Sequence, residues 1–350
     1  MCVVKSSNAI MKPLSKSKLM ALRQCPKRLW LEVHPPVQPG SKRVMRLEKK
    51  AQKLYDPQGL GAALAPHQEG WAQAIRRTQI LLAGRAPIFE ATLSTDGALA
   101  FADALLPVGS KRGKSWRMVE VKSATSVKPY HRNDIAVQAY VATRSGVDLK
   151  AVALAHIDSD WTYPGADDYK GLLIEVDLTD EAMSRGNEVQ SWVDEGQAII
   201  KKRKAPKQAT GKQCFDPYEC GFFSYCSSQE AQPQYPVFWL PRIQSKALKA
   251  HIEALNDLDL RHVPDHLLND LQLRVKKQTL SKKIIFFDKD RALAMLKADK
   301  AHKGPAYFLD FETIQFTVPV WAKTRPYQQI PFQFSCHHLT ARGELSHTQF

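Results

Sequence analysis

Residues 98–122 read ALAFADALLPVGSKRGKSWRMVEVK, two apolar stretches that each contain an acidic residue. Asp103 lies within the apolar residues 101–106, and Glu120 lies two residues before Lys122. Side chains alternate between the two faces of a strand, so Glu120 and Lys122 project from the same face. An unpartnered carboxylate in an apolar strand is unfavourable, and a divalent cation would provide a partner. The pattern therefore predicts two neighbouring strands that bring acids and a lysine to one point, although Glu-x-Lys alone is also typical of a solvated strand face.

The periodicity around this stretch predicts an α/β domain. Helical spacing predicts helices at residues 15–33, with a break at Cys25-Pro26, and at residues 43–54, 68–82 and 132–143. Alternation predicts strands at residues 88–93, 98–107, 116–122 and 151–157. The expected order is helix, three-stranded meander, helix, strand.

An Asp in one strand, Glu-x-Lys in the next and Gln138 in the following helix together resemble the PD-(D/E)XK nuclease superfamily, particularly its RecB-type exonuclease branch. The resemblance implies a restriction-endonuclease-like core that uses Mg²⁺ or Mn²⁺. It also implies that Asp103 and Glu120 are metal ligands, that Lys122 is the catalytic lysine, and that Gln138 orients the site.

Two features near this pattern leave the ligand set open. Glu90, on the first predicted strand, is either a further ligand or a plain surface carboxylate. The Gly-x-x-x-His motif of the RecB branch is not found in the sequence, and His67 is only a weak substitute for it.

Four of the six cysteines flank the predicted core. Cys25 precedes it, and Cys214, Cys220 and Cys226 follow it with five residues between successive members. Four thiolates suit either a [4Fe–4S] cluster or a structural zinc, and the Cys-x-x-Cys pair common in zinc knuckles is missing from the trio. The arrangement resembles iron–sulfur nucleases such as the AddB subunit and the CRISPR-associated four-cysteine exonucleases. That resemblance implies an iron–sulfur clamp, with Zn²⁺ as the alternative.

The charge balance favours a polyanionic partner. Fifty Lys and Arg residues against thirty-five Asp and Glu give a formal net charge of +15, and the basic run at residues 201–204 directly precedes the cysteine trio. Such an excess indicates nucleic acid, although a basic run is also typical of a solvated helix end. No stretch approaches the ~20 apolar residues of a membrane span, so we expect a cytoplasmic protein without a membrane partner.

A second pair of carboxylates lies near the C-terminus. Asp310 and Glu312 alternate on a predicted strand beginning near residue 305, and Asp-Phe-Glu-Thr resembles the first motif of the DEDD 3′–5′ exonucleases, which have an RNase H-like fold. Glu344 is the only acid after Glu312. Through residues 325–335 the segment resembles an uncharacterised bacterial domain family that joins an iron–sulfur RecB-like nuclease to an RNase H-like domain. The resemblance implies a truncated RNase H-like part with an incomplete second site.

We therefore predict three parts: a nuclease domain at residues 12–228, a linker and helical connector at 229–304, and the start of an RNase H-like domain at 305–350. The expected activity is metal-dependent hydrolysis of DNA phosphodiesters, as an exonuclease in DNA repair or defence. A helicase or another repair protein is the expected protein partner. The alternative is a nucleic-acid-binding scaffold with little or no catalysis, stabilised by an iron–sulfur cluster or zinc.

Overall fold

The computed structural model describes residues 12–35, 46–109, 115–230, 233–254, 258–281, 285–299 and 305–350. The chain divides into two compact units. The first extends to residue 208 and also contains residues 213–221 and 315–329, whereas the second contains residues 209–212, 222–314 and 330–350. The start of the helix predicted at residues 43–54 lies outside the described residues.

A mixed β-sheet forms the centre of the first unit. In spatial order its strands are β2 (Ala62–Ala63), β3 (Ile88–Thr95), β4 (Ala98–Val108), β5 (Ser115–Lys122), β6 (Asp148–Ile157) and β7 (Leu173–Asp177), and β1 (Leu14–Ser15) pairs with the start of β4. Strands β3, β4 and β5 are antiparallel neighbours, and β6 runs parallel to β5. The predicted α/β class is thus confirmed.

A long buried helix connects the two parallel strands. This helix, α6 (Pro129–Arg144), is buried from Ile135 to Ala142 without interruption. Alanines at positions 136, 139 and 142 lack long side chains, so neighbouring elements can approach the helix closely. Helices α1 (Lys16–Gln24), α7 (Thr179–Ser184) and α8 (Gly186–Ile200) pack against α6.

The N-terminal helices break where the sequence predicts. Helix α1 ends before Cys25, whose backbone is extended, and Pro26 begins α2 (Pro26–Val33). Proline has no N–H to continue a preceding helix but suits the first position of a new one. The other helices of this unit are α3 (Arg46–Tyr55), α4 (Pro66–Glu69) and α5 (Trp71–Leu82).

The second unit combines short helices with a three-stranded antiparallel sheet. The sheet consists of β8 (Ala306–Ile314), β9 (Ile330–Leu339) and β10 (Leu345–Gln349), with β9 in the middle. Its helices are α9 (Phe223–Ser227), α10 (Lys246–Ala254), α11 (Asp270–Leu280) and α12 (Lys289–Asp299). The helical connector predicted within residues 229–304 is divided into separate helices, because 3₁₀ turns follow α10 and a capping box at Asn269 starts α11. No helix within the described ranges is long and apolar enough to cross a membrane.

Candidate active site

The two acids of the predicted site meet on adjacent strands of the first unit. Ala104 on β4 pairs with Val119 on β5, and continuing this antiparallel register by one residue places Asp103 opposite Glu120. The backbone N–H of Val121 donates to Asp103 Oδ2 at 2.7 Å, which fixes that carboxylate beside β5. Glu120 is only 1% exposed, whereas Asp103 is half-buried.

Two lysines hold the same oxygen of Glu120. Lys122 Nζ lies 2.6 Å and Lys16 Nζ lies 2.8 Å from Glu120 Oε1. Both lysines also contact Asp134 on α6: Lys16 Nζ is 3.3 Å from Asp134 Oδ1, and Lys122 donates to Asp134 Oδ2. We call Lys16, Glu120, Lys122 and Asp134 the ion cluster. Its two carboxylates are bridged by two ammonium groups.

The ion cluster shifts the pKa values of Glu120 and Lys122 in opposite directions. Burial opposes charge on Glu120, but the Lys122 and Lys16 ammonium groups outweigh burial and lower the pKa of that carboxyl. Burial likewise opposes the charge of Lys122, yet Glu120, Asp134 and Asp103 raise its pKa above the usual value. Lys122 is therefore an ammonium ion at neutral pH and is not poised to accept a proton.

Asp103 and His131 are shifted toward their neutral forms. Burial, followed by the nearby charge of Glu120, raises the pKa of Asp103 well above its usual value. Burial, followed by the charge of Lys122, lowers the pKa of His131 to about 4. The Nδ1 atom of His131 accepts the backbone N–H of Lys128 at 3.1 Å, so this neutral imidazole also caps the start of α6.

Glu120 and Gln138 each contain buried polar atoms without a hydrogen-bond partner in the described part of the chain. Glu120 Oε2 and both side-chain polar atoms of Gln138 make no hydrogen bond to the described residues, and Gln138 is fully buried. An unmet buried polar group costs about 1–3 kcal/mol, and such groups commonly mark the place of a water or an ion. The unpartnered carboxylate oxygen of Glu120, a residue opposite Asp103 in the strand register, suits a divalent cation in both charge and chemistry.

A small cavity on β4 brings two further acids to Asp103. The cavity has a volume of about 10 Å³, and its lining includes Glu48, Glu90 and Asp103. Such a volume corresponds to roughly one water-sized site. Glu90 has a left-handed backbone (φ 55°) and is omitted from the β3–β4 pairing, which continues on either side of it. Glu48 is not predictable from the sequence, since a single acid on a basic helix carries no distinguishing pattern.

Among the described residues, no three His, Cys, Asp or Glu side chains are arranged to hold one metal ion. Mg²⁺ commonly binds through one or two carboxylates, with water and substrate phosphates completing its coordination, and Asp103 and Glu120 supply such a pair. His67 does not join them. It lies on α4 with its ring against that of Phe101 and is exposed.

The cysteine segments of the first unit lie together. Gln24, next to Cys25, donates to the carbonyls of Gln213 and Tyr218, each at 2.8 Å. The N–H of Cys220 donates to the carbonyl of Cys214 at 2.7 Å, which closes the loop between these two cysteines. Cys226 belongs to α9 of the second unit and is buried there. The iron–sulfur cluster stays a prediction from the sequence.

The basic run at residues 201–204 directly follows α8, and all four side chains are exposed. Trp30 on α2 donates its indole N–H to the carbonyl of Lys202 at 2.9 Å, which ties the start of the run to the N-terminal helices. The run is thus held in place while its charges remain in solvent.

The C-terminal acids lie on one face of the second unit's sheet. Asp310 pairs with Ser335 and Glu312 with Gln333, so both carboxylates project from the same side of β8. Both residues are exposed, and β8 is an edge strand. Unlike Asp103 and Glu120, they are not enclosed.

A family model described as a domain of unknown function (DUF2779) matches residues 307–350. The match includes Asp310 and Glu312 and covers well under half of the chain. No curated protein matches the chain.

Proposed function

We propose that the first unit is a metal-dependent nuclease that hydrolyses DNA phosphodiester bonds at Asp103, Glu120 and Lys122. The observation that carries the proposal is that the two carboxylate oxygens of Glu120 have different contacts. Both lysines contact Oε1, while Oε2 is buried without a hydrogen-bond partner in the described residues, and Asp103 lies opposite Glu120 on the neighbouring strand. A cation bound at Oε2 and Asp103 would leave both ammonium groups in place.

Asp103 and Glu120 would hold the cation. A bound Mg²⁺ or Mn²⁺ polarises the phosphate and lowers the pKa of a coordinated water. Because the raised pKa of Lys122 keeps it protonated, we assign this lysine to stabilising negative charge on the reacting phosphate and orienting the water rather than removing its proton. Gln138, whose amide is buried and unpartnered in the described part of the chain, would contribute a hydrogen bond to a water or substrate in the loaded site.

The choice of DNA as substrate follows from charge and resemblance. The chain carries a formal charge of +15, and the exposed basic run at residues 201–204 is suited to contacts with backbone phosphates. The reaction type, phosphodiester hydrolysis, follows from the resemblance of Asp103 and the Glu-x-Lys pattern to the PD-(D/E)XK nucleases. An exonuclease with a [4Fe–4S] cluster on Cys25, Cys214, Cys220 and Cys226 is the form that this resemblance implies.

Cleavage of end-labelled single- and double-stranded DNA tests the proposal, with Mn²⁺ or EDTA and with anaerobically purified wild type and Lys122→Met. We expect products only from wild type with the metal. Lys249→Met, an exposed substitution of the same kind on α10, controls for a general loss of positive charge and should cleave as wild type does. Metal-dependent cleavage by Lys122→Met at the wild-type rate would refute the assignment. A wild type that binds DNA without cutting it would favour the scaffold alternative.

A further inference from the structure

The ion cluster contains one more lysine than a Glu-x-Lys pattern supplies. Lys16 contacts the same two carboxylates as Lys122, although it is 104 residues from Glu120 in sequence. It reaches them because Leu14 and Ser15 pair with the start of β4 and α1 begins directly afterwards. The Lys16 side chain is 18% exposed, so it is enclosed but reachable.

Helix stability does not explain a lysine at this position. Lys16 is the first residue of α1, and the first turn contains no acidic residue. The N-terminus of a helix carries partial positive charge, which disfavours a cation there. Glu120 and Asp134 offset this repulsion, so the position of Lys16 serves the ion cluster and not its own helix.

The charge of the site depends on Lys16. Asp103, Glu120 and Asp134 carry three negative charges when ionised, and Lys16 and Lys122 carry two positive charges. A divalent cation would change the net charge of this set from one negative to one positive. Without Lys16 the same loaded set would be neutral. Lys16 thus makes the loaded site attractive to a monoanion, and an internal phosphodiester is a monoanion.

We infer that Lys16 is a second catalytic lysine, which contacts the scissile phosphodiester together with Lys122. The inference rests on the proposed nuclease function and adds a substrate-binding residue to it. The Lys16 ammonium group would neutralise charge on a non-bridging phosphate oxygen. Lys16 neither transfers a proton nor forms a covalent bond in this role.

Two measurements on Lys16→Met separate this role from a structural one. The first is Mn²⁺ binding by titration calorimetry without DNA, where loss of a nearby positive charge should leave the affinity equal to or tighter than that of wild type. The second is single-turnover DNA cleavage at saturating Mn²⁺, where we expect a loss of about 100-fold, the order seen when one preorganised donor to a developing charge is removed. Lys18→Met is the matched control, because Lys18 lies on the same helix and its Nζ contacts the carbonyl of Glu32.

A charge-balanced variant controls for misfolding caused by an unpaired buried charge. Lys16→Met combined with Asp134→Asn removes one charge of each sign from the ion cluster, and it is compared with Asp134→Asn alone. We expect the double variant to be slower than the single variant by a similar factor. Cleavage by Lys16→Met within about twofold of wild type, or equal rates for the double and single variants, would overturn the inference while the nuclease function stands. A wild type without cleavage would overturn both.

Discussion

The Lys122 ammonium lies 2.6 Å from Oε1 of Glu120, two residues earlier on the same strand. The contact keeps Lys122 charged, while the other oxygen of Glu120 is buried without a hydrogen-bond partner among the described residues. Ion pairs of this kind contribute little net stability when buried, since the removal of two charges from water offsets their attraction. Under the proposed function, these ion pairs hold a carboxylate beside two cations, so that a metal and a phosphate can bind together.

We expect Mn²⁺ binding to release a proton. The pKa of Asp103 is raised by burial and by Glu120, so without metal Asp103 retains a proton to higher pH than an ordinary carboxyl group. A cation binds the ionised form, and its affinity should therefore rise with pH until the pH exceeds that raised pKa. Calorimetry in two buffers of different ionisation enthalpy, at one mildly acidic pH, measures the released proton. Identical heats in both buffers would contradict the assignment of Asp103, and Asp103→Asn should abolish any difference.

Tyr327→Phe should slow cleavage several-fold and cost about 0.5–1.5 kcal/mol of stability. Its hydroxyl donates to the carbonyl of Ser123, the residue after Lys122. Residues 315–329, which include Tyr327, belong to the first unit. The same segment makes a second hydrogen bond, from the Tyr169 hydroxyl to the carbonyl of Pro319. Tyr307→Phe, on the exposed part of β8 in the second unit, makes the same chemical change outside the first unit. Equal effects of the two substitutions on unfolding and cleavage would show that the Ser123 contact is unimportant.

Gly196→Ala should destabilise the first unit by about 1–3 kcal/mol, because overfilling a packed core forces its neighbours to shift. A Cβ added at Gly196 of α8 would lie 2.6 Å from Leu14 Cδ1. Leu14 belongs to β1, the strand directly before Lys16. Gly186, at the start of the same helix, has nothing within 4 Å of an added Cβ. Gly186→Ala should therefore be neutral or stabilising by up to ~1 kcal/mol. Thermal unfolding of both variants measures the difference, and equal melting temperatures would refute the tight contact.

Cys214→Ser should remove most of the bound iron from anaerobically purified protein, if the four-cysteine pattern holds a [4Fe–4S] cluster. Wild type is then brown with broad visible absorption, whereas a zinc protein is colourless because Zn²⁺ has a filled d shell. Cys336→Ser is the control, since Cys336 lies on β9 outside the cysteine pattern. Iron and zinc analysis of the three proteins decides between the metals. Iron retained equally in both variants would exclude Cys214 as a ligand.

The local part of the architecture could be predicted from the sequence. The alternation in β3, β4 and β5 and the proline after Cys25 act over a few residues, so they are readable without knowing the fold. Strand alternation also places Glu120 and Lys122 on one face, and adjacent strands then bring Asp103 to them. Strands β1 and β2 were missed because each has only two residues.

The rest of the site depends on contacts between distant segments. Lys16 contacts Glu120, and Asp134 contacts both Lys16 and Lys122, because β1, α1 and α6 are brought together beside the sheet. Nothing in the spacing of these residues indicates that contact. Glu48 is similar, since its place in the cavity of Asp103 follows from the packing of α3 on β4.

Nuclease activity after removal of each acid pair tests the central claim most directly. One variant combines Asp103→Asn with Glu120→Gln in the first unit, and the other combines Asp310→Asn with Glu312→Gln in the second. Each is assayed on labelled DNA with Mn²⁺ and with EDTA, beside wild type and with thermal unfolding as a check of folding. We predict that Mn²⁺-dependent cleavage is lost in the first variant and retained in the second. Cleavage that survives the first double substitution, or that disappears only with the second, would contradict the assignment of the active site to Asp103 and Glu120.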